Sequence, residues 1–259
     1  MVKISDYKAV ILAGGKGTRL YPITYEIPKP LLPVRKKPII NYLIDLFLKE
    51  EIKDIAVLIS KDFREEFTWW KKRYYPKNKI KFVEEKEPLG TFGGLWYLKR
   101  WISKSPFFLT NGDELKKIDL SEMNRFHQEM VRQTHHKTLA TIALVKVPDP
   151  QNYGVVISKN GKIKEFLEKP KNPPSNYINS GLYLLSPEIF NYMPHRQLRP
   201  VKDNARVKAG HPDPKFLMIE KNIFPKLAKE KKLAGFKFNG KWADCGTFER
   251  YSAALKNWQ

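Results

Sequence analysis

One stretch of the chain decides the fold: Lys8-Ala9-Val10-Ile11-Leu12-Ala13-Gly14-Gly15-Lys16-Gly17-Thr18-Arg19-Leu20. Its apolar first part is typical of a short buried strand, and its second part is a loop with three glycines. Backbone N–H groups in such a loop can surround a polyphosphate, because glycine has no Cβ that would stand in the way. Lys16 and Arg19 in the loop, with Lys29 further along, add fixed positive charge. The stretch therefore predicts a site for a nucleoside triphosphate.

Two common glycine-rich motifs do not fit this loop. The P-loop requires Gly-x-x-x-x-Gly-Lys-Ser/Thr, and no stretch of the chain supplies it. The dinucleotide-binding fingerprint requires a third glycine at the position that Leu20 occupies. A glycine-rich turn without a ligand is the alternative for a lone loop, but Lys29 and the acidic residues described below favour a ligand.

The composition of the chain excludes several classes of protein. With 259 residues it can bury a sizeable core as one α/β domain. Its apolar runs are too short for a membrane span, and its first residues lack the apolar core of a signal peptide. The single cysteine, Cys245, excludes an internal disulfide framework and a cysteine-based zinc site. We therefore expect a cytoplasmic protein without a membrane partner.

The net charge of +21, with a pI near 9.8, is high for a metabolic enzyme. A nucleic-acid or membrane-surface partner is one explanation, and an anionic substrate with a solvated, lysine-rich exterior is the other. The basic residues are dispersed over separate segments, and the chain has no basic-aromatic motif of the RNA-binding type. The solvated exterior is therefore the favoured interpretation.

The first half of the chain alternates between strand and helix patterns. This order predicts a parallel sheet with helices on both faces and ligands at the carboxyl ends of the strands. The second half has shorter, partly antiparallel strands, with Asn160-Gly161 as a hairpin turn. The predicted strands are Lys8–Leu12, Asp54–Ile59, Ile80–Glu84, Pro106–Thr110, Thr138–Val147, Val155–Ser158, Ile163–Glu168 and Gly181–Leu185, and the predicted helices are Pro38–Lys49, Phe63–Tyr75, Thr91–Trp101, Ser121–Arg132, Ile219–Lys229 and Thr247–Asn257.

Asn111-Gly112-Asp113 follows an apolar strand, so Asp113 should project from the carboxyl end of that strand. A carboxylate at that place, opposite a triphosphate loop, is suited to bind Mg²⁺. An Asx turn that merely ends the strand is the alternative.

These motifs resemble the sugar-1-phosphate nucleotidylyltransferases, the family that makes nucleotide sugars. Besides the glycine loop, the resemblance rests on Pro28-Lys29-Pro30, Asn111-Gly112-Asp113, Glu168-Lys169-Pro170 and Trp242-Ala243-Asp244-Cys245-Gly246-Thr247, and it runs from about Lys8 to about Leu255. It implies one domain with a Rossmann-like three-layer α/β fold, a mixed, mostly parallel central sheet and a smaller β-rich lobe that binds the sugar. Residues 1–135 would form the nucleotide-binding half and residues 136–259 the sugar-phosphate-binding half, with no C-terminal β-helix domain.

The resemblance also implies the site residues. Arg19 and Lys29 would be the catalytic cations, and Asp113 and Asp244 would hold Mg²⁺. Taken singly, each motif residue also has a structural interpretation, such as a helix cap, a bulge or a surface ion pair, so their joint order carries the functional one. The sugar phosphate would contact Gly154, Glu168, Lys169 and Asn179, and the nucleotide would contact Leu12, Ala13, Gly14, Gly15, Gly17, Thr18, Arg19, Lys29, Glu85, Pro88, Gly90 and Thr91.

The implied reaction needs no general base. A sugar 1-phosphate is already an anionic nucleophile, so the protein has to position it for in-line attack on the α-phosphorus and neutralise charge while pyrophosphate leaves. Cys245 is expected to pack rather than react. The five histidines lie outside the matched motifs and are expected on the surface.

Glu85 points to the base of the nucleotide. Uridylyl and thymidylyl members of the family commonly have glutamine at the position aligned with Glu85. A carboxylate can bridge the N1–H and N2–H₂ donors of guanine, whereas it would face the carbonyls of uracil or thymine. GTP is therefore favoured, and Glu-Pro-Leu-Gly-Thr from Glu87 on also resembles mannose-1-phosphate guanylyltransferases. The alignment could equally fall on Glu84.

Three other interpretations stay open. The chain could be a glucose-1-phosphate uridylyl- or thymidylyltransferase, a non-catalytic homologue that senses a nucleotide sugar, or a polyanion-binding protein. The basic stretch His195–Lys215 is expected to be an exposed loop without an assigned role, although it could contact an anionic ligand or a second subunit of a homo-oligomer.

Overall fold

The computed structural model describes residues 3–85, 87–133, 137–193 and 216–259. The whole of the predicted loop 195–215 and four of the five histidines lie outside these ranges. The strands are β1 Lys8–Ala13, β2 Pro33–Val34, β3 Lys37–Pro38, β4 Asp54–Ser60, β5 Ile80–Glu85, β6 Phe107–Asn111, β7 Glu114–Lys116, β8 Ala140–Lys146, β9 Gly154–Lys159, β10 Lys162–Glu168, β11 Tyr177–Leu185, β12 Leu233–Lys237 and β13 Trp242–Asp244. The α-helices are α1 Ile23–Glu26, α2 Ile39–Lys49, α3 Arg64–Tyr74, α4 Gly90–Gly93, α5 Lys99–Ile102, α6 Leu120–Gln133, α7 Phe224–Lys229 and α8 Phe248–Asn257.

A nine-stranded sheet runs through both predicted halves of the chain, in the order β5-β4-β1-β6-β11-β8-β12-β10-β9. The four strands of the first half are parallel to one another. Strand β11 pairs antiparallel with β6 and joins the second half to the first. In the second half only β8 and β12 are parallel, while β11–β8, β12–β10 and β10–β9 are antiparallel. The mixed α/β sheet agrees with the predicted Rossmann-like class.

Helices cover both faces of this sheet. Because successive side chains of a strand point to opposite faces, Ile11 packs into one apolar cluster and Val10 into another. The cluster around Ile11 includes residues of α2, α3 and α6. The cluster around Val10 includes residues of α4, α5 and α7. The three layers leave the carboxyl ends of β1, β4 and β6 free for loops.

The segment Thr91–Trp101 is not the single helix that its pattern predicted. It consists of α4, a 3₁₀ segment Gly94–Leu98, and α5. Glycine weakens a helix. The N–H groups of Phe92 and Gly93, which have no intrahelical acceptor in the first turn of α4, donate to the Leu217 carbonyl oxygen at 2.9 and 3.2 Å. The backbone of this segment is therefore shaped by a tertiary contact.

Several further strands were not predicted, among them β12, β7 and β13. Strand β12 lies inside the sheet between β8 and β10, and β7 and β13 form a two-stranded antiparallel ribbon in which Asp244 lies opposite Glu114. The predicted hairpin turn is confirmed, since Asn160 and Gly161 both have positive φ, 50° and 74°.

The expectation for the histidines is wrong for His127. Its side chain is buried, its Nδ1 lies 2.8 Å from the Thr141 hydroxyl oxygen, and burial lowers its pKa to about 4. It therefore lies in the interior, between α6 of the first half and β8 of the second. Separately, no helix within the described ranges is both long enough and apolar enough to cross a membrane.

Candidate active site

A cavity of about 410 Å³ opens at the carboxyl ends of β1 and β6. All twelve residues that were predicted to contact the nucleotide line it, together with Asp113. Lys16 is not part of its lining. Five further lining residues were not predicted as contacts: Pro30, Leu89, Asn111, Phe216 and Gly246. Gly246 could have been found from the motif that contains Asp244, whereas Phe216 stands next to no motif of the sequence.

The Lys29 ammonium lies inside this cavity and donates a hydrogen bond to the Asp113 carboxylate. Lys29 is a buried lysine, which is uncommon without such a partner. Burial alone would raise the pKa of the Asp113 carboxyl, but the charge and hydrogen bond of Lys29 and the charge of Lys116 hold it below its usual value. Asp113 is therefore an anion that faces the loop of the first strand.

Glu85 ends β5 and lies against the glycine loop, since a Cβ on Gly14 would collide with its carboxylate. Its Oε1 is buried and has no hydrogen-bond partner in the part of the chain that the structure describes. Burial raises the pKa of Glu85 to about 7. A backbone hydrogen bond from Leu89 lowers this pKa, but its effect is smaller than that of burial. The neighbouring Glu84 instead pairs with the exposed Arg64 and does not line the cavity. Of the two glutamates, Glu85 is the one that a ligand in the cavity would contact.

Asp244 reaches the site through the ribbon of β7 and β13. The Cys245 N–H donates to the Asp113 carbonyl oxygen at 3.1 Å, which brings the backbones of the two motifs together. The Asp244 carboxylate accepts hydrogen bonds from the Gly246 N–H and from the Arg250 guanidinium, each at 2.6 Å. Asp244 itself is not among the residues that line the cavity, although Gly246 is. Arg250, which holds Asp244, was not predicted.

The donor set is compatible with Mg²⁺. This ion is commonly bound by one or two carboxylates, with phosphate and water oxygens as its other ligands. Asp113 and Asp244 supply carboxylates from adjoining segments, and no cluster of three or more acidic, histidine or cysteine side chains suited to a metal exists among the described residues. Asp244 would have to exchange its contact with Arg250 for the ion.

Cys245 stands between these groups but is inert. It is fully buried in the apolar cluster that also contains Leu20, Leu115 and Trp258. Burial, reinforced by the neighbouring carboxylates, raises the pKa of its thiol to about 12. A thiol of this kind is neither a nucleophile nor a metal ligand at neutral pH, so the residue contributes packing.

Glu114 is a buried carboxylate that the sequence analysis did not single out. It accepts hydrogen bonds from the Asn111 amide at 2.9 Å and from the Trp242 indole N–H at 3.1 Å, and the Lys116 ammonium lies 3.3 Å away. Burial raises its pKa to about 7, against the lowering effect of Lys116. Trp242 also donates to the Ser180 carbonyl oxygen at 3.3 Å. Glu114 therefore ties the Asp113 turn to β13 and indirectly to β11.

The four residues predicted to bind the sugar phosphate lie at one end of β9, β10 and β11. Gly154 pairs with Glu168, and Ile178, next to Asn179, pairs with Val155. The Lys169 N–H donates to the Tyr153 carbonyl oxygen at 3.0 Å. The structure thus brings the four together, on strands outside the lining of the nucleotide cavity.

A bulge in β11 connects this end of the sheet to the Asp113 turn. The register between β11 and β8 shifts between Asn179 and Tyr183, and Gly181 has a φ of 65°. A Cβ on Gly181 would collide with the Glu114 carboxylate and the Asn111 amide. Bulges often re-aim side chains next to active sites. Here the bulge places the backbone of Gly181 beside the turn that carries Asp113.

Lys169 has a strained backbone, with φ at 50°, and its side chain is exposed. Non-glycine residues adopt this conformation at a cost, and such residues cluster at functional sites. Among the exposed lysines described in the second half, Lys169 shares this conformation with Lys231.

Comparisons with known proteins agree with this geometry. A curated relative, the mannose-1-phosphate guanylyltransferase catalytic subunit beta of Xenopus tropicalis, is 36% identical over 250 residues, which are 92% of this chain. This chain spans 61% of the length of that relative.

Among solved structures, HddC from Yersinia pseudotuberculosis complexed with GMP-PN has a TM-score of 0.75 at 26% identity, covering 98% of this chain and 100% of its own. A UDP-glucose pyrophosphorylase complexed with UDP-glucose has the same TM-score at 24% identity, with 97% and 98% covered, and shows a shared fold. The model of the family described as nucleotidyl transferase matches residues 8–259. The chain belongs to the nucleotidyl transferase family.

Proposed function

We propose that this chain transfers a guanylyl group from GTP to a sugar 1-phosphate, with mannose 1-phosphate as the favoured acceptor, and releases pyrophosphate. The observation that carries the proposal is the cavity in which the glycine loop, the ion pair of Lys29 and Asp113, and the Glu85 carboxylate lie together. One oxygen of that carboxylate, Oε1, has no hydrogen-bond partner among the described residues. One compartment thus offers backbone donors and cations for phosphates and an acceptor for a base.

The preference for guanine rests on Glu85. An ionised carboxylate only accepts hydrogen bonds, and guanine presents N1–H and N2–H₂ side by side. Binding would offer the Glu85 carboxylate two donors, whereas its Oε1 has no partner among the described residues. Uracil or thymine would offer one N–H flanked by carbonyl oxygens that repel the carboxylate.

The chemical step requires position and charge more than proton transfer. An oxygen of the sugar phosphate attacks the α-phosphorus of GTP, a new P–O bond forms, and the bond to the β-phosphate bridging oxygen breaks as pyrophosphate leaves. Arg19 and Lys29 would neutralise the triphosphate and the charge that develops on pyrophosphate. Asp113 and Asp244 would hold Mg²⁺, which when bound supplies further neutralisation and orientation of the phosphates.

The acceptor would bind at the end of β9, β10 and β11. Lys169 would pair with the sugar phosphate, while Glu168 and Asn179 would bind sugar hydroxyls and Gly154 would allow close approach of the backbone. The names of the relatives support this choice of donor and acceptor: the frog protein is named a mannose-1-phosphate guanylyltransferase, and HddC was solved with GMP-PN. The cytoplasmic location expected from the single cysteine stays a prediction.

A substrate panel tests the proposal. Purified protein with Mg²⁺ is given GTP, ATP, UTP or dTTP in combination with mannose or glucose 1-phosphate, and pyrophosphate release is measured. We expect the highest kcat/KM for GTP with mannose 1-phosphate. Preference for UTP or dTTP with glucose 1-phosphate would identify the alternative transferase, and binding without turnover in every combination would identify a non-catalytic sensor.

A further inference from the structure

Two buried side chains connect the nucleotide cavity to the sugar end of the sheet. The Thr91 hydroxyl, at the cavity, donates a hydrogen bond to Glu220 Oε2 at 2.6 Å. The Tyr183 hydroxyl donates to Glu220 Oε1 at 3.2 Å, and the Asn179 amide donates to the Tyr183 hydroxyl oxygen at 2.9 Å. A continuous path of three hydrogen bonds thus joins a predicted nucleotide contact to a predicted sugar contact.

Both ends of this path are also fixed by the backbone. The Thr91 hydroxyl accepts a hydrogen bond from the Ile219 N–H at 2.9 Å, and the Asn179 side-chain oxygen accepts one from the Gly181 N–H at 2.9 Å. The Asn179 amide therefore has one orientation, with one N–H still free of these contacts. Because Glu220 and Tyr183, in the middle of the path, are buried, removing either one leaves a polar neighbour unsatisfied.

Packing does not account for the polar atoms of this path. The Tyr183 ring is fully buried and contacts the Phe224 ring with centroids 5.0 Å apart, so a phenylalanine would fill the same space. Glu220 is buried, and the ion pairs within the described ranges do not include it. An apolar side chain would occupy its place without the cost of burying a carboxylate. Glu220 also lies near Glu168, which is another predicted sugar contact. Burial raises the pKa of Glu168, and the negative charge of Glu220 raises it further.

We propose that Glu220 and Tyr183 are positioning residues that hold the Asn179 amide in register with the nucleotide loop at Thr91. Neither touches the reacting atoms. Their effect is to set the sugar 1-phosphate at a fixed place relative to the α-phosphorus, and small misplacements of a nucleophile reduce the rate of an in-line reaction strongly. The inference rests on the proposed function, because it assigns Asn179 to the acceptor.

Tyr183→Phe tests the inference with the smallest change available. The matched control is Tyr7→Phe, because Tyr7 is also buried and its hydroxyl donates to a side chain, Asn124, at 3.0 Å in a region remote from the cavity. We expect Tyr183→Phe to lower kcat and to raise KM for the sugar 1-phosphate about 5-fold, the equivalent of one net hydrogen bond, with KM for GTP changed less than about 2-fold. Tyr7→Phe should change neither constant.

A double-mutant cycle separates positioning from general loosening of the fold. If Tyr183 acts through Asn179, Tyr183→Phe should have almost no further effect on KM for the sugar 1-phosphate in an Asn179→Ala background. Independent, multiplicative effects of the two substitutions would overturn the inference.

The activity of the wild-type protein separates failure of the proposed function from failure of the positioning inference. Failure of the wild type to release pyrophosphate from any substrate pair would reject the proposed function and this inference with it. A wild type that turns over, with Tyr183→Phe indistinguishable from Tyr7→Phe, would reject this inference alone. Glu220→Gln, which removes one of the two acceptors, provides the same comparison if the melting curve shows that Tyr183→Phe does not fold.

Discussion

Lys29 and Asp113 form a partly buried ion pair although they belong to different loops, one following β1 and the other following β6. The parallel pairing of these two strands brings their carboxyl ends side by side, so a cation and an anion meet where the backbone of the glycine loop is open. The same pair then has two functions in the proposed reaction. Lys29 would neutralise phosphate oxygens, and Asp113 would be released to hold Mg²⁺.

Asp113→Asn should abolish turnover and leave the fold intact. The amide keeps the shape of the side chain but loses the charge that a divalent cation requires, so we expect pyrophosphate release to fall at least about 100-fold. The control is Asp54→Asn, an exposed aspartate at the amino end of the neighbouring strand β4. Pyrophosphate release and circular dichroism melting check the result, and near-normal turnover by Asp113→Asn would show that the residue does not hold the metal.

The nucleotide side of the site is predictable from sequence because its residues are close together along the chain. One group of contacts, Leu12 to Lys29, is at and after the end of β1, and the other, Glu85 to Thr91, is at and after the end of β5. Each group can therefore be located once its own strand has been predicted. The parallel order of β1, β4, β5 and β6 then places both groups at one edge.

Other parts of the site depend on contacts that no local pattern reveals. Asp244 approaches Asp113 through two strands of three residues each, which are too short to show a period. The path through Glu220 and Tyr183 joins segments that are 37 residues apart in the chain. In the sequence pattern, Tyr183 is not distinguished from the apolar residues of its buried strand. Arg250 was not identified because it lies in helix α8, and its guanidinium reaches Asp244, which precedes the helix, only when the helix is formed.

Glu85 should make nucleotide affinity depend on pH. Its pKa is about 7 in the protein without nucleotide because of burial, and the donors of guanine favour the charged form. Binding therefore releases a proton, so affinity for GTP should rise with pH up to about 7 and level off above it. Below pH 7 the affinity for GTP should fall by up to about tenfold for each unit by which the pH is lowered.

Calorimetry between pH 5.5 and 8.5, in buffers of different ionisation enthalpy, measures both the affinity and the proton released. Glu85→Gln should remove this pH dependence and reduce the preference for GTP over UTP. Glu84→Gln is the matched control, because that neighbouring carboxylate pairs with Arg64 outside the cavity. A wild-type affinity that stays constant across this range would contradict the contact between Glu85 and the base.

Lys169→Gly should separate stability from function. Glycine adopts the φ of 50° without strain, so the variant should melt at the wild-type temperature or slightly above it. Loss of the ammonium should nevertheless raise KM for the sugar 1-phosphate at least about 10-fold, with a much smaller effect on KM for GTP.

Lys171→Gly is the control for that experiment, since Lys171 is exposed, two residues away and outside the residues with positive φ. It should have little effect on either KM. Equal increases of both constants in Lys169→Gly would remove Lys169 from the acceptor site.

Gly90 and Gly15 both line the cavity, but substitution should affect them in different ways. Gly90 has a φ of 76°, and a Cβ there would collide with the Leu217 carbonyl group, which accepts the N–H groups of Phe92 and Gly93. Gly90→Ala should therefore destabilise the protein by about 1–3 kcal/mol and weaken GTP binding because the loop moves. Gly15 has no atom within 4 Å of an added Cβ, so Gly15→Ala should fold normally and weaken GTP binding only by placing a methyl group among the phosphate donors. Denaturant unfolding and equilibrium binding of GTP distinguish the two effects, and a Gly15→Ala protein with unchanged affinity would exclude the loop backbone from phosphate binding.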